Sequence, residues 1–393
     1  VSPVIAAGAS SRALMPPAAV LSAQASAEVA ALRREVRAFL AQGAFQPQID
    51  GWLTGWDAGF SRALAARGWV GMTIPTRYGG HGRSALSRYV VVEELLAAGA
   101  PIAAHWMADR QIAPSLLRHG SEQQRQHLLP RIAAAEVFVS VGLSEPDTGS
   151  DLASIRTRAT PVPGGWRISG TKIWTSGAHH ADAVIVLARS AAADPSHRHA
   201  GLTQFIVDTR ATGLVIRPIA ILTGALDFNE IVLDEVFVPH DQVLGEPGQG
   251  WHQVTSELAY ERSGPERFLS TFPLLAALVA ALGADGPGPE AALQVGALAT
   301  RLWTLRQMSL AVAAALDAGD APALAAALVK DVGTRFESTV AEAVRALLDD
   351  PAQRSPELAR LLAEAVLHSP AFTLRGGTNE VLRGIVARGL GLR

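Results

Sequence analysis

The hydrophobic period of this chain changes twice, and that constrains its fold more than any other feature. Residues 26 to 136 carry apolar side chains at helical spacing, as in Val29, Leu32, Val36, Phe39 and Leu40. SRYVVVEELLAAGAP and IAAHWMADRQIAPSLLRHG continue the pattern, and Ser121 with Gln124 has the spacing of a capping box. IPTRYGGHGR, residues 74 to 83, reads as a loop. From about residue 137 to 250 short runs rich in β-branched residues take over: VFVSVGL, GWRISGTKIWTSG, DAVIVLAR, TQFIVD, LVIRPIAI and NEIVLDEVFVP. Strands that follow one another without helices between them predict a mostly antiparallel sandwich or barrel. After Trp251 the helical pattern returns. It breaks mainly at GADGPGPE (283–290) and LDDPAQRSPE (348–357), where Ser355-Pro356 is a good helix start. About five helices are expected there, with the Ala-rich ones between 291 and 346 packed as a bundle.

The expected organisation is an extension over 1–25, a helical domain over 26–136, a central β-domain over 137–250 and a C-terminal helical bundle over 251–393. That is an α+β class, mainly α. The first twenty-odd residues lack a basic stretch before their apolar part, so they read as a loose extension rather than a signal peptide. No uninterrupted apolar run reaches the ~20 residues of a spanning helix, so no membrane partner is expected. The formal net charge is −2 with Lys and Arg scattered, which argues against nucleic acid as a partner. The chain contains no cysteine, so it offers no disulfide, thiolate metal site or cysteine nucleophile. A reducing, cytoplasmic setting fits that composition.

Several patterns point nowhere. Ser169-Gly-Thr-Lys172 matches S-x-x-K but lies between apparent strands without companion motifs, and reads as a turn. His179-His180 and the His197/His199 pair lack the i, i+4 spacing of a helical metal site, so they read as loop histidines and no metal is expected. No glycine-rich phosphate loop stands between a strand and a helix, so a dinucleotide would not be held in the Rossmann manner. Three stretches remain. Leu143-Ser-Glu-Pro-Asp-Thr-Gly-Ser-Asp151 is a strand end opening into hydroxyls, acids and glycine, suited to a polar heterocycle or a phosphate. Gly170-Thr-Lys-Ile-Trp-Thr-Ser-Gly177 sets Trp174 beside hydroxyls; the indole is either core or a cover for a planar ring, with Ser176 as donor. RGGTNEVLRGIVAR, 375–388, runs two glycines into a helix capped by Thr378 or Asn379. The free N–H groups there suit an oxygen-rich ligand, though a plain connector looks similar.

Together, in this order, these stretches resemble the acyl-CoA dehydrogenase family. The resemblance runs from GWVGMTIPTRYGGHG and VVEELLAAGAP through IAPSLLRHGSEQQRQHLLPRIAAAE, LSEPDTGSD, GTKIWTSG and VFVPHDQVLGEPGQGW to RGGTNEVLRGIVAR. It implies a helical N-terminal domain, a central antiparallel β-domain and a C-terminal four-helix bundle, with FAD where they meet. It further implies that Leu143 and Ser144 contact the pyrimidine side of the flavin. Gly149 and Ser150 would lie near the pyrophosphate or the thioester arm. Trp174 would pack on the isoalloxazine, Ser176 would reach toward N5, and Thr378 and Glu380 would touch cofactor. Ser150, Arg262, Gly376 and Gly377 would border the substrate. An acyl-CoA or acyl-carrier-protein thioester is the implied substrate, and an electron-transfer flavoprotein or similar protein the acceptor.

The family's reaction removes an α-proton as hydride leaves the β-carbon for the flavin. Many members carry the basic glutamate just before the Gly-Thr of the C-terminal loop, and here that position is Gly376. A minority place it in a Glu-Arg pair on the first helix after the β-domain, and Glu261-Arg262 falls there. Glu257 and Glu266 stand nearby, and Glu380 is a poorer second choice because acids at helix N-termini usually serve the dipole. The relocated base leaves room for a branched or bulky acyl group. The family's Arg-x-x-Phe-Gly and Gly-Gly-x-Gly stretches, which help a neighbouring subunit hold FAD, are replaced by TFPLLAALVAALGADGPGPE and LLDDPAQRSPELAR. A homo-oligomer with fewer shared contacts, or a paralogous partner chain completing split FAD sites, follows from that departure. A flavin oxidase or monooxygenase of the same fold, or a non-catalytic partner subunit, are the competing readings.

Overall fold

A computed structural model describes residues 15–16, 23–43, 45–283, 288–320, 322–348 and 355–392, apart from the side chains of 23, 25 and 257–261. The N-terminal helices are α1 (Ala23–Leu40), α2 (Ala58–Ala65), α3 (Ala85–Ala97), α4 (Ala103–Met107), α5 (Ala113–His119) and α6 (Glu122–Ala133). The capping box forms: Ser121 Oγ accepts from Gln124 N–H at 3.2 Å, and Gln124 returns an acceptor to Ser121 N–H at 3.0 Å. Between α4 and α5 the chain widens into a π turn over Ala108–Ile112. Pro114 has no N–H to give the Arg110 carbonyl, and Ala113 N–H bonds instead to Ala108 O, five residues back. The 74–83 loop contains one 3-10 turn, Thr76–Tyr78.

The central strands are β1 (Val139–Gly142), β2 (Arg158–Val162), β3 (Gly165–Ser176), β4 (Ala183–Arg189), β5 (Leu202–Asp208), β6 (Leu214–Ile219), β7 (Phe228–Pro239) and β8 (Val243–Leu244). They form one sheet in the order β6-β7-β3-β2-β4-β5-β8, with β1 beside β4. The pairings are antiparallel except β1–β4 and the single β2–β4 contact. Ile168, Ile231, Leu233 and Val236 of the β3/β7 half pack against Val184, Val186, Phe205 and Val207 of the β4/β5 half, so the sheet curls round one core. Strand β2 escapes the sequence pattern because RATPV carries an arginine and a proline; β8 is two residues long.

Six described helices follow rather than five: α7 (Gly250–Glu261), α8 (Phe272–Gly283), α9 (Pro289–Asp317), α10 (Ala323–Leu347), α11 (Pro356–Phe372) and α12 (Asn379–Gly389). The extra division comes from Ser263-Gly-Pro265 and the 3-10 turn Pro265–Arg267 between α7 and α8. The expected breaks at 283–290 and 348–357 fall partly outside the described residues, as does most of the 1–25 extension. Ser355 caps α11 from Pro356, as read.

One apolar core joins α1 and α3 to α8, α9, α10 and α11, through Val36, Val91, Leu95, Leu274, Val312, Val329, Val340 and Leu358. A second joins the α4–α6 segment to the sheet, with Ile112, Leu116, Leu129 and Ile132 against Val139, Ile185 and Ile206. The α4–α5 segment therefore stands where both helical groups meet the sheet. Among the described residues, no helix is long and apolar enough to cross a membrane.

Candidate active site

A buried ion pair ties two of the sequence motifs together. Lys172, fully buried on β3, donates to Leu143 O at 3.0 Å and to Glu145 Oε1 at 2.8 Å. Glu145 also accepts from Arg156 N–H at 2.7 Å and Thr157 N–H at 2.8 Å. Ile173 N–H donates to Ser144 O at 3.0 Å, so Leu143 and Ser144 are pinned to β3 from both sides. Burial pulls the Lys172 ammonium down to about 8 against the pull of Glu145. Burial pushes the Glu145 carboxyl up, but Lys172 and the N–H donors overcome it and leave it below its usual range. The Ser169–Lys172 stretch is thus strand and not a turn, and Ser169 Oγ donates instead to Glu235 Oε1 at 2.5 Å.

Trp174 is not core. The β3–β7 register slips between Lys172/Ile231 and Thr175/Asn229, which places one extra residue on β3. Trp174 absorbs the bulge at φ 59°, a strained conformation for a bulky residue, and its indole stands 55% exposed with an edge toward Phe228. Thr175 turns inward, its Oγ1 buried without a partner. Ser176 takes a hydrogen bond from Ser140 Oγ to its carbonyl at 2.7 Å. With Gly177 it lines a cleft whose other wall is Trp52, Trp56 and Met107. His179 is held at 2.9 Å by Asn229 and is half-buried rather than free in solvent. In the preceding motif, Glu145 and Thr148 exchange backbone hydrogen bonds of 2.8 and 3.0 Å, closing a tight turn. Beyond it Gly149 and Ser150 are exposed, and nothing lies within 4 Å of where a Gly149 side chain would begin.

The C-terminal loop needs its glycines for backbone reasons. Gly376 and Gly377 both take left-handed conformations, φ 69° and 86°. Arg262 Nε donates to Gly376 O at 3.1 Å, and fully buried Lys330 donates to Gly377 O at 2.7 Å, Thr373 O at 3.1 Å and Asn379 Oδ1 at 2.8 Å. Thr378 caps α12, while Asn379 is buried and bonded to Asp331 O and Thr334. Glu380 is exposed in the first turn, its carboxyl held low chiefly by a backbone N–H, with Thr378 and Arg383 adding to it. Arg375 binds Asp50, Ser270 Oγ (3.1 Å) and Glu337 (3.3 Å), and its guanidinium lies 4.8 Å from the Trp52 ring. Trp52 thereby joins the Ser176 cleft to the Gly-Gly loop. Helix α7 ends at Glu261, one residue before Arg262; the side chains of Glu257 and Glu261 lie outside the described residues.

Leu143, Ser144, Trp174 and Ser176 thus share one strand-and-loop unit, and Arg262, Gly376 and Gly377 share another. Glu266 is buried beside Arg110 at 3.4 Å. The sequence reading overlooked Glu145, Lys172, Lys330 and Arg375. The available signal was a lysine set among apolar residues, as in ALVKDVG on α10.

Glu337 gives a test of this network. Burial chiefly, with Asp50 adding and Arg375 opposing, raises its carboxyl to about 7. The unfolded value is ~4.3, so the folded state holds an extra proton between the two. The stability this contributes is full below ~4.3 and is lost as pH rises toward 7, by at most ~1.4 kcal/mol per pH unit. Denaturant unfolding of Glu337→Gln should therefore show a smaller loss of stability between about pH 5 and pH 7.5 than the parent; equal losses would contradict the raised value.

Family models for the N-terminal, middle and C-terminal domains of acyl-CoA dehydrogenases match residues 26–136, 140–236 and 287–391. The chain belongs to the acyl-CoA dehydrogenase family. Acyl-CoA dehydrogenase IpdE1 of Mycobacterium tuberculosis is 34% identical over 352 residues, covering 85% of this chain and 87% of its own length. Acyl-CoA dehydrogenase FadE34 of the same species is 32% identical over 93% of this chain, which spans about half (49%) of that protein. Among solved structures, the Tcur3481-Tcur3483 steroid ACAD matches at TM-score 0.84 and 28% identity, covering 93% of this chain and 98% of that one. The ChsE4-ChsE5 complex from Mycobacterium tuberculosis matches at TM-score 0.80 and 27% identity, covering 95% and 99%. Members of the family are flavoprotein oxidoreductases that bind FAD. The residues present fit such a group: an exposed indole held out on a strained bulge, a neighbouring hydroxyl in a cleft, and open space at Gly149 are features for which the fold itself has no evident use.

Proposed function

We propose that this chain carries out α,β-dehydrogenation of an acyl thioester with Glu261 as the base that removes the α-proton. The observation that carries this reading is the 3.1 Å hydrogen bond from Arg262 to Gly376 O, which brings the end of α7 against the Gly-Gly loop. A glutamate at 376 would sit in left-handed backbone at a cost of roughly 1 kcal/mol, whereas position 261 is regular helix. Bound FAD supplies a hydride acceptor for the substrate β-carbon. Leu143 and Ser144 would contact its pyrimidine side, Trp174 would pack on its ring, and Ser176 would reach toward N5. Gly149 and Ser150 would lie near the pyrophosphate or thioester arm, and Thr378 and Glu380 would touch the cofactor at the loop. Gly376, Gly377 and Arg262 face the thioester, where a backbone N–H polarises the carbonyl and acidifies the α-carbon.

Trp174 tests the cofactor part. Trp174→Ala should weaken FAD retention about fivefold, read as flavin lost on dilution, because an aromatic stacking contact of ~1 kcal/mol disappears. Unchanged retention would remove Trp174 from the site. A branched or bulky acyl group suits the glycine at 376.

Pairing with a paralogous chain is a second reading, favoured by the missing Arg-x-x-Phe-Gly and Gly-Gly-x-Gly stretches and by the two-component names of the two structural relatives. Exposed Leu293, Trp303, Val366 and Leu367 on α9 and α11 offer apolar surface for such a contact, or for a second copy of this chain. In either assembly an electron-transfer flavoprotein or similar protein would receive the electrons.

A further inference from the structure

Two buried guanidinium groups face one cavity, and the proposed chemistry uses neither. The cavity lies between α3, α9 and the turn after α7; it is small, about 20 Å³, and partly open to solvent. Arg88 and Tyr89 of α3, Arg110 of the π turn, and Ser263 with Gly264 line it. Arg88, Tyr89 and Arg110 are 5%, 5% and 7% exposed.

Arg88 makes no side-chain hydrogen bond or ion pair to the described residues. Three acids lie near enough to act on it through space, and all are engaged elsewhere. Asp109 accepts from Gly71 N–H at 2.8 Å. Asp317 accepts from Ala85 and Leu86 N–H at 2.6 and 3.1 Å, at the start of α3. Glu266 stands 3.4 Å from Arg110 Nη2, and its Oε2 has no partner. The buried Nε of Arg110 and the Tyr89 hydroxyl also lack partners. Burial, with Arg110 adding to it, pulls the Arg88 guanidinium down to about 10, so it stays charged at neutral pH. Gly264 leaves room for these two groups: a side chain there would begin 2.4 Å from Arg110 Nη2 and 2.0 Å from Glu266 Oε2 and would displace them. A largely buried charge with no partner among the described residues is costly, and an anion entering the cavity offsets that cost.

The cavity adjoins the proposed reaction centre. Met107, on the wall of the Ser176 cleft, precedes Arg110 by three residues, roughly 5 Å along a helix. Ser263 and Gly264 directly follow Arg262, which holds the Gly-Gly loop. We propose that the cavity receives the far end of the acyl group and selects acyl groups carrying an anionic oxygen group there, in the simplest case a carboxylate gripped by Arg88 and Arg110 with Tyr89 donating. Guanidinium–carboxylate pairs of this kind are short, directional and strong when water is excluded. The proposal rests on the dehydrogenase reading, whose substrate it narrows.

Calorimetric titration of the FAD-loaded protein with thioester pairs of equal carbon number tests it: adipoyl-CoA against hexanoyl-CoA, and suberoyl-CoA against octanoyl-CoA. The carboxylated member of at least one pair should bind about tenfold more tightly. Arg88→Gln should cancel that preference while leaving the neutral member within about threefold of its wild-type Kd. The wild-type comparison stands without the variant, and Arg110→Gln provides a second one. Neutral thioesters binding as well as carboxylated ones in both pairs would overturn the proposal and leave the dehydrogenase reading intact. So would a preference that survives both substitutions. If no CoA thioester binds or bleaches the flavin, the dehydrogenase reading fails and this proposal with it.

Discussion

Glu261→Gln should slow flavin reduction by acyl-CoA on the order of 10²- to 10⁴-fold while FAD stays bound, because a positioned general base typically contributes that much. Stopped-flow absorbance under anaerobic conditions reads the step without interference from the electron acceptor. The amide keeps the size and polarity of the side chain, so substrate Kd should change little and the loss should appear in the rate. Glu380→Gln is the control. That residue is exposed at the start of α12, with its carboxyl held low by a backbone N–H, and such a group is a weak base at neutral pH. Its rate should stay within a few-fold of wild type. If the two variants exchange behaviour, the base lies in the loop and the α7 assignment is wrong.

Lys172→Met should be the most damaging substitution for the fold itself, with ~3–5 kcal/mol lost in denaturant unfolding. The methionine fills a similar volume, but Glu145 is left buried without its counter-charge, still tied to Arg156 and Thr157 N–H. Leu143 O also loses its donor. The double variant Lys172→Met/Glu145→Gln should recover a good part of the loss, since the amide needs no counter-ion. A single variant as stable as wild type would mean the pair contributes little. Flavin retention should follow stability here, because the same pair fixes Leu143 and Ser144 against β3.

What was legible in the sequence was periodicity. The change from helical spacing to alternating β-branched runs and back marks out helices, sheet and helices, and the caps at Ser121 and Ser355 stand where the residue types put them. The π turn was not legible: Pro114 announces a disturbance, but whether a helix kinks, ends or widens depends on what packs around it. Glu145 and Lys172 are 27 residues apart and pair only once β3 lies beside the loop. Trp174 reads equally well as core or as an exposed cover, because one inserted residue decides which way a strand side chain points. The double glycine invited a ligand, yet both residues are already needed for left-handed backbone, with their carbonyls taken by Arg262 and Lys330. The loop therefore supports a site through what it brings together rather than through its glycines alone.

The most direct measurement is the visible spectrum of the purified protein before and after anaerobic addition of a panel of acyl-CoA thioesters. The account predicts near-stoichiometric FAD whose absorbance is bleached by at least one thioester, with the matching enoyl-CoA as product. Protein that gains flavin only beside a second chain, and is then bleached, would favour the paired assembly. Bound flavin that stays oxidised with every thioester would contradict the account.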